Sequence, residues 1–309
     1  MKKKLFFPLY SLLIFVFLSL ICARLTGGFR LSHIASNLDS NTNWNLPDLT
    51  DQQQKELKPL LLQEFSYFDR GEQCYVFLGE DQTTIIKFFI HDHCAKWEEF
   101  LSSCLPFGGT LKKWFAWKQR DLLPVFASAK IAYVHLKDPS ALLYLHVNKT
   151  EKKLPCITIK DKIGVEHTVD LNKTEFLLQK RADPFFEKLS LAIQEKDFSL
   201  AKQYIRSFLR LLSSRCSVGI ENVDFSIKRN LAILHGEAVE IDIGSYKMNP
   251  HLTTASGRKQ EILFHTKRLK RWMAKHSPEL CDYLDAQILF WSRHQKTTCQ
   301  DLEIDQSPL

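Results

Sequence analysis

No Cys-x-x-Cys pair occurs among the eight cysteines, which are scattered at positions 22, 74, 94, 104, 156, 216, 281 and 299. That scatter excludes the common zinc motifs, argues against a dense disulfide framework, and predicts thiols that serve mostly as small buried hydrophobes, with some paired if the domain lies outside the cytoplasm. No Gly-x-Ser-x-Gly elbow or other hydrolase motif is present. No internal repeat or low-complexity tract is visible, which sets aside solenoids and fibrous chains. Neither sign of charge dominates: 42 Lys and Arg against 35 Asp and Glu leave +7, so no nucleic-acid partner is expected. Hydrophobic residues at 45% and charged residues at 25% describe an ordinary globular chain, long enough to bury a sizeable core.

One long apolar run stands out against this background. Lys2, Lys3 and Lys4 form a basic tail (1–4) ahead of Leu5–Ala23, in which only Tyr10, Ser11 and Ser19 are weakly polar. At helical rise the run reaches about 28 Å, close to the ~30 Å hydrocarbon thickness of a bilayer. A transmembrane helix over 5–23 is therefore expected, anchoring the protein to a membrane. The lysines before it favour an N-inside orientation. A cleaved signal peptide is the alternative, but Ser19-Leu20-Ile21-Cys22-Ala23-Arg24 offers no clean small-x-small exit site.

Residues 24–58 are polar and turn-rich and read as a linker. A strand-rich half follows over 59–182. Cys74–Leu78 and Thr83–Phe89 are aromatic and β-branched, joined by a turn at Gly79–Gln82. A helix is expected over about 112–136, and further strands at Leu142–Val147, Cys156–Lys160, Glu166–Leu171 and Phe176–Gln179. From 183 to 300 the period changes to helical, with Leu200, Tyr204, Ile205, Phe208, Leu211 and Leu212 on one face. One hairpin interrupts it, Leu231–Leu234 to Ala238–Asp242, and residues 301–309 form a tail. This order predicts an α+β protein of two lobes, one strand-rich and one helical.

Four features bear on chemistry. Gly71, just before the strand at Cys74, allows close backbone approach to phosphate oxygens, and it is also an ordinary turn glycine. Lys87 shares a strand face with Ile85 and Phe89, where a lysine is costly unless an anion pairs with it or it snorkels to water from an edge. Asp224 and Asn230 lie between a long helix and the hairpin. Asp242 closes that hairpin in Ile241-Asp242-Ile243-Gly244. Asp and Asn oxygens are hard ligands suited to magnesium, although each position also reads as a cap or turn.

Taken in order, Asp69-Arg70-Gly71-Glu72, Ile85-Ile86-Lys87, Asp224 through Asn230 and Ile241-Asp242-Ile243-Gly244 resemble the protein-kinase-like superfamily. The resemblance spans about residues 60–295 and is nearer to small-molecule and bacterial cell-envelope kinases than to eukaryotic protein kinases. It implies a two-lobed kinase-like fold behind the N-terminal helix, with ATP and Mg2+ as cofactors. By the same resemblance Gly71 lies over the phosphates and Lys87 contacts them, while Gln179–Ala182 form the adenine-binding hinge. Asp224 accepts the proton of a hydroxyl substrate, and Asn230 and Asp242 hold the metal.

The pattern departs from the family at three points. Asp224 and Asn230 stand six apart rather than five, with no His-Arg before Asp224. The phosphate loop has one glycine, and no Glu occurs between Glu99 and Glu151 to pair with Lys87. An N-inside anchor also sets the domain outside the cytoplasm, where ATP is scarce. Two readings therefore stand beside an active kinase: a pseudokinase-like binding module at the membrane, and an unrelated α+β envelope protein.

Two further features have ordinary readings. The basic segment from Arg258 to Lys275 reads as an amphipathic helix with a solvated face, with membrane-surface contact as the alternative. His91 and His93 near Cys94 read as loop polarity rather than a metal pair.

Overall fold

The computed structural model describes residues 3–91 and 121–293. The chain divides into two compact units, Met1–Leu122 with Tyr144–Leu178, and Leu123–Leu143 with Gln179–Leu309. The stretch 123–143, expected with the strands, thus belongs to the helical unit.

The first unit is built on a mixed α+β plan around a 7-stranded sheet of order β4-β7-β3-β2-β1-β5-β6. Its strands are β1 (Phe65–Arg70), β2 (Cys74–Gly79), β3 (Thr84–Phe89), β4 (Leu142–His146), β5 (Cys156–Lys160), β6 (Glu166–Asp170) and β7 (Phe176–Lys180). The strands β1, β2 and β3 form an antiparallel meander, with a bulge in β1 between Tyr67 and Asp69. The strand β1 also runs parallel to β5. Alternation along β2 buries Tyr75 and Phe77, which pack with Phe65, Ile86 and Phe88. The ring pair Phe77–Phe88 stands edge to face at 5.7 Å, a favoured aromatic geometry.

The helix α1 (Lys3–Leu25) opens the chain, and its side chains from Tyr10 to Leu25, Leu12 apart, are exposed. Among the described residues no helix is long and apolar enough to cross a membrane.

The stretch expected as a linker is held down instead. Phe29 and Ile34 are buried, and Phe29 packs on Tyr75 and Phe77 at 5.1 and 5.4 Å. The Tyr75 hydroxyl donates to the Gly28 carbonyl. The helix α2 (Asp51–Leu61) starts at a reciprocal cap: Thr50 Oγ1 accepts from Gln53 N, and Gln53 Oε1 accepts from Thr50 N. Composition alone reads these residues as solvated, because the aromatic that pins them lies more than forty positions away.

His91 completes the clamp. It is buried, not loop polarity: Nδ1 meets Asn37 Oδ1 at 2.9 Å and Nε2 meets Glu175 Oε2 at 2.9 Å. Ser36 Oγ donates to the other Glu175 oxygen at 2.6 Å. Burial alone would raise the Glu175 carboxyl, yet the bonds from His91 and Ser36 together hold it below the ordinary range. His93 and Cys94 lie outside the described residues.

The second unit is mainly helical: α3 (Leu123–His135), α4 (Phe185–Gln194), α5 (Phe198–Ser217), α6 (Ala255–His276) and α7 (Cys281–Arg293). Of the helix expected over 112–136, the part before residue 121 lies outside the described residues. Asp197 caps α5 by accepting from Leu200 N at 2.9 Å. The anticipated apolar face of α5 is buried, with Tyr204, Ile205, Phe208, Leu211 and Leu212 in one core with Leu269, Met273 and Leu284. The hairpin pairs β10 (Leu231–Leu234) with β11 (Glu237–Glu240), and β8 (Asp183–Pro184) adds to β10. His235 and Gly236 turn it at φ of 50° and 85°, the left-handed pair that a tight hairpin needs. A second ribbon pairs β9 (Ile220–Asn222) with β12 (Tyr246–Met248).

Cys22, Cys74, Cys156, Cys216 and Cys281 are free thiols. Among the described cysteines only Cys216 is buried, and burial pushes its thiol up to about 12. Cys22 and Cys156 are exposed, so among the described cysteines the reading as buried hydrophobes holds for Cys216 alone.

Two outcomes test this packing. Phe208→Ala is expected to lower the unfolding free energy by about 3–5 kcal/mol in chemical denaturation. Because the Glu175 carboxyl sits low, its stabilisation is present above about pH 4.3, the ordinary value, and is lost as pH falls through the lower folded value. Melting temperature against pH should show that acid limb in the native chain and a flatter one in Glu175→Gln.

Candidate functional site

The helix α5 ends at Gly219, whose φ of +66° turns the chain into β9. The loop Val223–Ser226 and a single helical turn, Ile227–Asn230, then lead into β10. Asp224 is exposed on this loop, and Asn230 is buried beneath it. Asn230 Nδ2 donates to the Asp224 carbonyl at 2.8 Å, and Ile241 N donates to the Asn230 carbonyl at 2.8 Å. Asp242, the next residue, is exposed and accepts from Gly244 N at 3.2 Å through Oδ1. Asp224, Asn230 and Asp242 are therefore gathered at one end of the hairpin. The one-residue excess in the spacing from Asp224 to Asn230, six positions rather than five, is accommodated by the helical turn Ile227–Asn230 without breaking that link.

The donor chemistry of this end suits a divalent cation. Asn230 spends Nδ2 on the Asp224 carbonyl, which leaves Oδ1, and Asp242 spends Oδ1 on Gly244, which leaves Oδ2. Both are hard oxygens of the kind magnesium takes. Among the described residues no group of three or more His, Cys, Asp or Glu could hold a metal by itself. A magnesium here would draw its other ligands from phosphate and water, its usual habit.

Beneath the loop lies a buried polar platform that the sequence reading did not single out. Arg215, on the inner face of α5, pairs with Glu240 Oε1 through Nη1 and with Glu261 Oε1 through Nη2, the second at 2.6 Å. Glu240 Oε2 also accepts from Asn222 Nδ2 at 2.8 Å and from the Tyr246 hydroxyl at 2.7 Å. His265 Nε2 reaches Glu261 Oε1 at 2.9 Å, and the Arg215 guanidinium lies over the Phe225 ring at 5.4 Å. Burial disfavours the charged guanidinium, but the two carboxylates outweigh it and raise Arg215 above its ordinary range. Burial is the larger influence in lifting Tyr246 well above the usual phenol value, and Glu240 adds to it. Tyr246 therefore stays a hydroxyl donor.

The segment after Asp242 is tied to α3. Ser128 Oγ donates to the Ile243 carbonyl and accepts from Tyr246 N, the latter at 2.6 Å. Arg258, expected on a solvated face, is buried and donates to the Thr253 carbonyl at 3.2 Å. Local signals for the platform do exist. Arg215 falls four positions after Leu211 and three after Leu212, on the apolar face of α5, and Glu261 and His265 are four apart on α6.

The remaining candidates belong to the first unit or begin the second. Lys87 lies half-buried on β3 opposite Val76, on the face of Ile85 and Phe89. Gly71 is exposed in the turn from β1 to β2, where its N–H donates to the Cys74 carbonyl at 2.9 Å. A methyl group there would meet nothing nearer than that carbonyl oxygen, at 3.7 Å, so the fold itself does not require glycine. Gln179 lies in β7, at the point where the second unit resumes. Its side chain is buried, and Nε2 donates to the Ser140 carbonyl at 2.8 Å. Gln179 Oε1 has no hydrogen-bond partner among the described residues.

No protein-family model matches the chain, and no curated protein matches it. Among solved structures it is similar to the complex structure of Rv3197–erythromycin from Mycobacterium tuberculosis, at 9% identity and a TM-score of 0.32. That alignment covers 98% of this chain and 80% of the other. At so low a score the likeness carries no argument about fold or function.

Glu240→Ala is expected to leave Asn222 Nδ2 and the Tyr246 hydroxyl without their acceptor and Arg215 with one carboxylate of its two. Losing one partner of a buried pair costs about 3–5 kcal/mol, to be read by chemical denaturation. Hydrogen exchange should speed up across residues 222–226 and 241–246 in the same variant.

Proposed function

We propose that this chain is a membrane-anchored protein of two-lobed kinase-like fold that transfers the terminal phosphoryl group of a nucleotide to a hydroxyl. The observation that carries the reading is the pair of bonds from Asn230 to the Asp224 carbonyl and to Ile241 N, which gathers Asp224, Asn230 and Asp242. The exposed apolar side chains of α1 support the anchor.

In this reading the Asp224 carboxylate orients the acceptor hydroxyl and takes its proton. The hydroxyl oxygen forms a bond to the terminal phosphorus as the bridging oxygen–phosphorus bond breaks, and a nucleoside diphosphate leaves. Lys87 neutralises phosphate charge, and Gly71 lets backbone amides approach it. Asn230 and Asp242 would hold magnesium, which when bound offsets the negative charge of the phosphates. Gln179 begins the stretch that receives the base.

A second reading, a binding module that keeps the nucleotide site without turnover, is favoured by one observation. Asn230, one of the two candidate metal ligands, is buried and spends its Nδ2 on the Asp224 carbonyl, a structural use that needs no turnover.

The deciding experiment is a thermal shift of the full chain with ATP, with and without magnesium. A ligand at a hundredfold excess over its Kd stabilises by about 2.7 kcal/mol. A magnesium-dependent rise is expected, lost in Asp242→Ala and weakened in Lys87→Ala. Asp224→Asn should keep the rise and lower turnover by about 10²–10⁴-fold. A rise with no turnover in the native chain selects the binding module, and no rise at millimolar ATP refutes both readings.

A further inference from the structure

A cavity of about 890 Å3 opens on the helical unit beside Asp224, between residues 221–225 and α6. Its wall includes the exposed Asp224 and the side chains of Val223, Leu263 and Phe264, all exposed, Phe264 at 66%. Lys267 also lines it, with Nζ over the Phe264 ring at 5.9 Å.

The other charges of the wall are largely spoken for. Lys270 is paired with Asp285 at 2.6 Å, Glu261 with Arg215 and His265, and Glu221 accepts from Asn249 Nδ2. That leaves a carboxylate, an apolar patch and a lysine lining one cavity. Outside it, Lys259, Arg268, Arg271 and Lys275 continue an exposed basic stripe on α6.

We infer that this cavity binds the headgroup and upper chains of an anionic membrane lipid bearing a free hydroxyl. The hydroxyl faces Asp224, the apolar chains lie on Val223, Leu263 and Phe264, and the phosphodiester meets Lys267. Charge complementarity supports the anionic headgroup, because a zwitterionic one would set its own cation against Lys267 and the basic stripe. Exposed apolar area costs free energy until something covers it, and the exposed apolar side chains of α1 give the same chain a surface suited to lipid. That the lipid is also the phosphoryl acceptor rests on the reading of the preceding subsection.

The test uses the full chain held in a non-ionic amphipol. Dihexanoyl phosphatidylglycerol is the probe, titrated by calorimetry against dihexanoyl phosphatidylcholine and glycerol 3-phosphate. The expected result is at least about tenfold tighter binding of phosphatidylglycerol than of either control. Phe264→Ser and Lys267→Glu, both exposed, should melt like the native chain and each weaken that binding roughly tenfold. Equal binding of phosphatidylcholine, equal binding of glycerol 3-phosphate, or unchanged affinity in both variants would overturn the inference. The magnesium-dependent ATP shift, measured on the same samples, separates the two claims. Lipid binding without it leaves the lipid site standing and removes phosphoryl transfer, whereas the ATP shift without lipid binding removes only the lipid site.

Discussion

Arg215 is a fully buried cation, and the helical unit is arranged around satisfying it. An unpaired guanidinium in that position would cost several kcal/mol of desolvation, so two carboxylates from distant parts of the chain are brought to it. Glu240 comes from the end of the hairpin and Glu261 from the second turn of α6. Each carboxylate is completed in turn, Glu240 by Asn222 and Tyr246, Glu261 by His265. Helix α5, the hairpin, the β9–β12 ribbon and α6 are thereby cross-linked by charge-assisted hydrogen bonds, roughly twice as strong as neutral ones. Replacing such a network with apolar groups could be as stable. What it gives in addition is register: both Arg215 Nη groups, Asn222, Tyr246 and His265 are each directed to a particular carboxylate oxygen, which fixes the elements that carry them.

The exposed groups of the candidate site sit on that platform. Asn222 supports Asp224 N directly, Phe225 lies against the Arg215 guanidinium, and Asp242 follows Glu240 by two residues. Chemistry of the proposed kind needs charged groups held without reorganisation, and rigid buried pairs beneath exposed carboxylates supply that. The first unit uses the same device on a smaller scale. His91 and Glu175 form a buried pair that binds the segment after α1 through Asn37 and Ser36. A stretch rich in Asn, Ser and Asp becomes ordered because a few buried acceptors and two apolar anchors, Phe29 and Ile34, give its backbone somewhere to bond.

Much of the secondary structure was legible because period and burial agree locally. β5 matches its expected bounds, β2, β3, β4, β6 and β7 lie within a residue of theirs, and Pro278 separates α6 from α7 as its missing N–H requires. β1 was not legible. Only Phe65 of its six residues is buried, and the bulge at Tyr67 and Asp69 breaks the alternation on which recognition depends. The candidate residues Asp224, Asn230 and Asp242 could be singled out in the sequence as an ordered set of oxygen-bearing side chains. Their supporting residues were not, because a buried Arg, two Glu and a His look individually like the surface charge of any amphipathic helix.

The sequence by itself determined the local elements, the apolar N-terminal run and the chemical types available for a site. Those properties depend on neighbours a few positions away, where side-chain period and turn chemistry act directly. The tertiary structure alone decided which charges are buried and which are presented. Arg215 and Arg258 went inside while Lys267 stayed out, and the segment at 24–58 was clamped rather than free. Such choices depend on partners tens of residues distant. A charge is buried only where an opposite charge meets it, and that meeting exists only once the chain has folded.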